Sequence, residues 1–302
     1  MSLFASLAAL AWEYFAPKAS TQAVREIGRG HRWLLDHFNA GGVQHGVLAW
    51  TLGALAPALV LGLLVALAGG LLTILGWAFE VIVLYFLFGF RRASFKAANI
   101  SRALDADDLP TARSVLLEWN PGLIAGDRQE DLVRQTLEET IRASLTALFG
   151  ILFWYWVAGI AGAVVYSLSH ACLEQWQSEG QFTRFSRQAV FWLDWLPARA
   201  LGFSFAIVGN FQDAAECWRS QAASWGDPRR DGNEGVILAA AAGALGIRLG
   251  GALQLGEQEV PRPDLGVEEM PGLDSIDSAV ALIWRSALLW LSVAGLLWLG
   301  SL

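Results

Sequence analysis

VLAWTLGALAPALVLGLLVALAGGLLTILGWAFEVIVLYFLFGF, residues 47–90, decides the fold: it is almost unbroken apolar sequence in which Glu80 is the single acidic or basic side chain. As one straight helix it would reach about 66 Å, about twice the hydrocarbon thickness of a bilayer. The chain must therefore fold back. Ala68-Gly69-Gly70 is the expected turn, leaving Val47–Leu67 and Leu71–Phe90 as two spans of ordinary length. Arg91-Arg92 close the second span. Lys and Arg gather at cytoplasmic ends, so both ends of this hairpin are expected on that side. An acid inside a span is a functional candidate by default, which marks Glu80 as the intramembrane polar site. The plainer reading is a carboxyl group hydrogen-bonded to a neighbouring helix.

Composition extends this to the whole chain, which reads as an all-α, polytopic membrane protein with cytoplasmic helical segments. Of 302 residues 55% are hydrophobic and 15 are Trp, and the mean hydropathy is +0.42. The formal charge of −7, without a basic run, excludes nucleic acid as a partner and leaves the lipid bilayer as the first one. Cys172 and Cys217 make neither a disulfide framework nor a zinc site, and no metal site is expected.

Residues 1–46 precede the hairpin. Met1–Trp12 is apolar but lacks a basic leader, and Glu13 stands where a cleavage site belongs, so no cleaved signal peptide is expected. Ser2–Phe15 reads as a short helix in or against the membrane. Beyond it, Val24, Ile27, Leu34, Leu35 and Phe38 share one helical face among basic residues, the pattern of an amphipathic helix at the cytoplasmic surface. His31, His37 and His45 lack the spacing of a metal site and read as solvated or interfacial.

Residues 91–143 form a first soluble stretch. Ala93–Leu104 and Thr111–Trp119 make a helical hairpin across a turn whose Asp105, Asp107 and Asp108 resemble the opening of a calcium loop. The required Gly and closing Glu are absent, so a capped polar turn is expected. Asp127–Arg142 is a charged helix running into the apolar segment 144–168. Its small residues at 158–162 leave two readings open, a straight span or a re-entrant hairpin. Residues 169–277 begin with an aromatic-rich connection in which His170 and Cys172, without evident partners, read as packing residues. A short apolar stretch, Leu196–Phe211, contains Arg199, and Asp213–Trp225 is a further helix. Gly235–Leu253 is rich in Ala and Gly, with Arg248 near its end. Gly250-Gly251 would suit close approach to a phosphate, but no P-loop or dinucleotide fingerprint is present. Residues 254–277 read as an irregular acidic loop, and residues 278–302 as the last span.

Two motifs carry a family resemblance. Leu193-Asp194-Trp195-Leu196-Pro197-Ala198-Arg199 and Ala242-Gly243-Ala244-Leu245-Gly246-Ile247-Arg248-Leu249-Gly250-Gly251 resemble the shared C-terminal half of the CbiB/CobD-type adenosylcobinamide-phosphate synthases and the related AmpE family. Leu152-Phe153-Trp154-Tyr155 and the hairpin at 93–119 are similar to the same superfamily, so the resemblance covers most of the chain. It implies two different functions. The synthases are membrane enzymes of cobalamin biosynthesis that join a corrinoid carboxylate to an aminopropanol unit as an amide, with ATP and Mg²⁺ as the cofactors such activation calls for. AmpE-like proteins are regulatory inner-membrane proteins connected to cell-wall recycling and β-lactamase induction.

The opening Met1-Ser2-Leu3-Phe4 and the form of the 193–199 motif are closer to AmpE. Against the synthase pattern, Trp12–Gln22 lacks the Gly-Asp-Pro and His-Pro-Val elements. Of a Glu…Glu-Asn…Asp series only Glu138 remains, with Arg142-Ala143 and Thr146 in the other places. His170-Ala171-Cys172-Leu173 replaces a Thr-Leu-Asp motif. The expectation is thus a multi-pass protein of the bacterial inner membrane, AmpE-like, regulatory or ligand-sensing, with no cofactor and no assigned catalytic residue. Its ligand would be an amphiphilic or anionic small molecule. Glu138, Asp194, Arg199, Asn233 and Arg248 are the ligand-binding candidates that the resemblance brings into its motifs. The alternative is the corrinoid synthase, using the same residues. A transporter built around Glu80 lacks an evident inverted repeat.

Overall fold

The structure is a computed structural model that describes residues 2–15, 21–176, 180–227, 231–256 and 258–300. Its first helices are α1 (Ser2–Phe15), α2 (Thr21–Phe38), α3 (Val43–Trp50), α4 (Ala56–Leu71) and α5 (Thr73–Leu87). Thr51–Leu55 links α3 to α4 as a π-helical turn. Pro57 in the first turn of α4 has no N–H to return to the preceding turn, and the wider π turn accommodates it. The fold-back falls at Leu72, with extended backbone (φ −148°, ψ 122°), rather than at Ala68-Gly69-Gly70. The glycines stay helical because they are needed on the facing surfaces: a Cβ on Gly76 would lie 2.6 Å from the Gly69 Cα. Leu63, Leu71 and Ile74 are exposed, as lipid-facing side chains must be.

The chain continues through α6 (Phe90–Asp105), α7 (Leu109–Trp119), α8 (Gln129–Ser144), α9 (Gly150–Trp176), α10 (Arg184–Val208), α11 (Phe211–Gln221), α12 (Gly232–Leu245) and α13 (Asp274–Leu299). Asp108 caps α7, its carboxylate accepting the Thr111 N–H at 3.1 Å. Four helical segments, Val43–Leu71, Thr73–Asp105, Gln129–Trp176 and Asp274–Leu299, are long and apolar enough to cross a membrane. The protein is an all-α polytopic membrane protein.

Length alone misleads in the third segment. Ala158 (φ −127°, ψ 15°) and Gly159 (φ 66°, ψ −161°) break α9. The Tyr166 ring packs on Gly150 so closely that a Cβ there would collide with the phenol. A straight helix would hold these residues about 24 Å apart. The chain therefore doubles back, forming a hairpin of two short arms. Gly162 permits the approach, since a Cβ there would meet the Trp154 carbonyl oxygen at 2.6 Å.

The chain divides into two compact units: Met1–Gly89, Thr146–Pro197 and Trp298–Leu302 form the first, Phe90–Leu145 and Ala198–Leu297 the second. The first has a core of Ala49, Ala54, Cys172, Trp176 and Phe182. His31 joins it instead of facing solvent: its ring is 4% exposed. Nε2 lies 3.2 Å from the Gly53 carbonyl, and burial pushes its pKa below the usual value.

In the second unit α12 is buried from Val236 to Ala244. A Cβ on Gly243 would strike the Asp213 backbone, so the Ala/Gly composition serves backbone contact between α11 and α12. Gly246 ends α12 in the left-handed region (φ 69°). Two short antiparallel ladders follow, running from the end of the Ala/Gly-rich segment into residues 254–277, where an irregular loop was expected. Arg248–Gly250 (β1) pairs antiparallel with Asp264–Gly266 (β4), and Leu253–Leu255 (β2) with Gln258–Val260 (β3). Three-residue strands carry too little alternation to be read from sequence.

Candidate functional site: a buried ionic cluster on α8

Charged residues recur along α8 at three- and four-residue steps, which places them as neighbours on the helix surface. They are not solvated: Asp131 is 3% exposed, Arg134 5%, Glu138 0% and Glu139 6%. Buried charges persist only when paired and hydrogen-bonded. Arg134 pairs with Asp131 and donates to the carbonyl oxygens of Gly250 at 2.6 Å and Ala252 at 2.9 Å. Asp131 also accepts the Gln254 N–H. Glu138 accepts the Gly250 N–H at 2.9 Å and pairs with Arg262. The helix thus pins the β-hairpin region through both of its charge pairs.

Arg142 pairs with Glu139 and with Glu234 at 2.7 Å, and stands 4.0 Å from Glu138 Oε2. Glu139 also accepts from Asn120 at 2.9 Å. The Trp225 indole donates to Glu234 at 2.6 Å, and the Arg262 guanidinium lies over the Trp225 ring at 5.1 Å. Arg199 donates to Asn233 at 2.9 Å, so it sits beside Glu234 at the start of α12. Arg248 pairs with Asp264 at 2.7 Å on the exposed face of the β1–β4 ladder.

Four of the five ligand-binding candidates, Glu138, Arg199, Asn233 and Arg248, therefore belong to the second unit. Asp194 belongs to the first. There it accepts the Tyr166 hydroxyl at 2.7 Å, and the His170 Nε2 lies 3.0 Å away, so His170 has a partner that its sequence context did not reveal. Glu80, also in the first unit, accepts the Tyr155 hydroxyl at 2.7 Å. Sequence reasoning passed over Arg134, Glu139, Arg142, Glu234, Trp225 and Arg262. The charge spacing along 131–142 was the available signal for α8, whereas Pro261-Arg262-Pro263 offered none.

The phosphate reading of Gly250-Gly251 is corrected. The Gly250 amide is engaged by Glu138, and the Gly251 amide donates to the Pro263 carbonyl oxygen at 2.9 Å. Both glycines have positive φ, 68° and 74°, and a Cβ on Gly251 would fall on the Arg134 guanidinium. Among the described residues no group of three or more His, Cys, Asp or Glu is placed to hold a metal ion. Each carboxylate of the cluster already meets at least one guanidinium, amide or indole group, a set that does not fit a protein-held Mg²⁺.

Fold and site define a helical membrane protein whose second unit encloses an arginine–carboxylate cluster beside a short β-hairpin region. The family model described as "CobD/Cbib protein" matches residues 6–283, and the chain belongs to that family. It is similar to the cobalamin biosynthesis protein CobD of Stutzerimonas stutzeri, 34% identical over 279 residues that cover 88% of each chain. The cobalamin biosynthesis protein CobD of Chromobacterium violaceum is 33% identical over 262 residues, covering 83% of this chain and 81% of the relative. The cobalamin biosynthesis protein CbiB of Salmonella arizonae is 24% identical over 293 residues, covering 93% and 85%. No solved structure matches.

These relatives overturn the AmpE-like regulatory expectation in favour of its alternative, cobalamin biosynthesis. That expectation rested on the opening residues and the form of the 193–199 motif, and on synthase elements counted as lost, carboxylates along α8 among them. The structure shows Asp131, Glu138 and Glu139 buried together there, with Glu234 supplied by α12.

Proposed function

We propose that the chain is an amide-forming synthase of cobalamin biosynthesis, working at the bacterial inner membrane, that joins adenosylcobyric acid to aminopropanol or its phosphate. The observation that carries this reading is similarity along most of the chain to cobalamin biosynthesis proteins. The reaction forms a C–N bond, breaks a carboxylate C–O bond and removes a proton from the amine. ATP, with Mg²⁺ accompanying its phosphates, is the co-reactant that turns the carboxylate oxygen into a leaving group. The chain's own residues have tasks that suit this chemistry. Arg199 and Arg248, outside the most buried part of the cluster, offer guanidinium groups to anionic parts of the substrates. Glu138 offers a carboxylate shielded from water as acceptor for the amine. The apolar spans place the chain at the bilayer, where an amphiphilic corrinoid partitions.

The test is an assay on detergent-purified protein with adenosylcobyric acid, aminopropanol phosphate, ATP and Mg²⁺, read by product mass. The expected result is the amide product. No product beside an active synthase control would overturn the proposal.

A further inference from the structure

We propose that the seat now filled by the Arg262 side chain, between Glu138 and the face of Trp225, is the binding site for the ammonium group of a small primary amine, and that Arg262 stands in for it until the amine arrives. The proposal rests on the synthase reading above and deepens it by placing one substrate.

The seat has the two parts that a cation needs. Glu138 supplies a carboxylate that is 0% exposed, and Trp225 supplies an aromatic face 5.1 Å from the guanidinium carbon. Its present occupant fills it incompletely. Arg262 meets Glu138 through Oε1, while Oε2, equally buried, receives no hydrogen bond among the described residues, and the Arg262 Nε–H donates none. The nearest other cation, Arg142, stays 4.0 Å from Oε2 and is held instead by Glu139 and Glu234. An ammonium group carries three donors around one point charge, and can address both carboxylate oxygens where the single guanidinium nitrogen addresses one.

Charge points the same way. Counted as ionised, Asp131, Glu138, Glu139 and Glu234 face Arg134, Arg142, Arg262 and Arg199, four carboxylates against four guanidinium groups. With Arg262 swung out the cluster is one positive charge short and Glu138 has lost its guanidinium partner, so the vacated seat selects a cation over an anion. The backbone allows that swing without unfolding. Pro261 and Pro263 restrict the chain on both sides of Arg262, and the Pro263 carbonyl oxygen is anchored by the Gly251 N–H. The arginine can thus leave by side-chain rotation, and its side chain is 17% exposed against 0% for Glu138.

The test is calorimetric titration of the detergent-purified full chain with 1-amino-2-propanol, in the absence of ATP and corrinoid. Arg262→Ala is expected to bind the amine about tenfold more tightly than the natural chain, because the internal competitor is gone; Glu138→Gln is expected to bind it at least tenfold more weakly. In the complete assay Glu138→Gln should raise the KM for the amine while leaving the KM for the corrinoid unchanged. Arg262→Ala that folds, judged by an unchanged melting profile, yet binds the amine no more tightly would overturn the proposal. So would competition by inorganic phosphate for the same seat. If Arg262→Ala does not fold, undiminished calorimetric binding of the amine by Glu138→Gln overturns it instead. Amine binding without synthase turnover would reject the reaction but keep the seat, whereas turnover with an unaltered amine KM in Glu138→Gln would reject the seat alone.

Discussion

The two units handle acidic side chains in opposite ways. In the first, Glu80 meets the Tyr155 hydroxyl and Asp194 meets Tyr166 together with His170. In the second, Asp131, Glu138 and Glu139 meet Arg134, Arg262 and Arg142. A phenol is a neutral donor, so the first arrangement commits little charge to an apolar surrounding. Guanidinium pairs commit a great deal, and they hold together elements far apart in sequence: Arg134 ties α8 to Gly250 and Ala252. Where acids are met by hydroxyls, the structure relies on apolar packing. Where they are met by arginines, the pairs themselves set the geometry.

The largest expected effect comes from breaking an arginine pair. Arg134→Ala would leave Asp131 buried and uncompensated, and release two backbone carbonyls, at a cost of about 3–5 kcal/mol. Denaturant unfolding of the purified protein should show it, and a loss below about 1 kcal/mol would mean the cluster does not organise the second unit. A smaller loss is expected from Gly150→Ala in the first unit, where the new methyl group must displace the Tyr166 ring, at about 1–3 kcal/mol. That variant also tests the fold-back of α9, since a straight helix would tolerate alanine there. Tyr155→Phe should cost only about 1 kcal/mol by removing one donor from Glu80. If its cost matched that of Arg134→Ala, the contrast between the units would fail.

How much of this could be read in the sequence follows the same division. The hairpin of residues 47–90 announced itself because nothing except a bilayer suits so long an apolar run. Its turn was misplaced by a few residues, since Gly69 serves close packing against Gly76 and leaves the reversal to Leu72. The break in α9 was one of two open readings, and the backbone at Ala158-Gly159 together with the contact of Tyr166 with Gly150 distinguishes them. Glu138, Arg199, Asn233 and Arg248 were legible through their motifs. Their partners were not, because Arg262 comes from 124 residues beyond Glu138 and lies in a loop without periodicity. Separation of that kind leaves no local trace.

Acid sharpens the comparison with the least disturbance. In the first unit, burial lowers the pKa of His31 below its ordinary 6.5, against the opposing pull of the Gly53 carbonyl. The native ring is therefore neutral where the unfolded ring already takes a proton. Its contribution to stability is whole above pH 6.5 and declines as pH falls below that value, by at most about 1.4 kcal/mol per pH unit. In the second unit Asp127 is held below its ordinary 3.8 by the Gly256 N–H, with Arg113 adding to the effect. That contribution is present above pH 3.8 and fades only as pH falls through the lower native pKa. Melting profiles from pH 7.5 down to about 5 should therefore register the first unit's histidine and not Asp127. His31→Phe is expected to flatten the slope in that window, whereas Asp127→Asn should lower the profile evenly there and change its slope only below about pH 4. An unchanged slope in His31→Phe would show that the ring is reached by water in the native state, and that the core built on Trp176 and Phe182 is looser than its packing indicates.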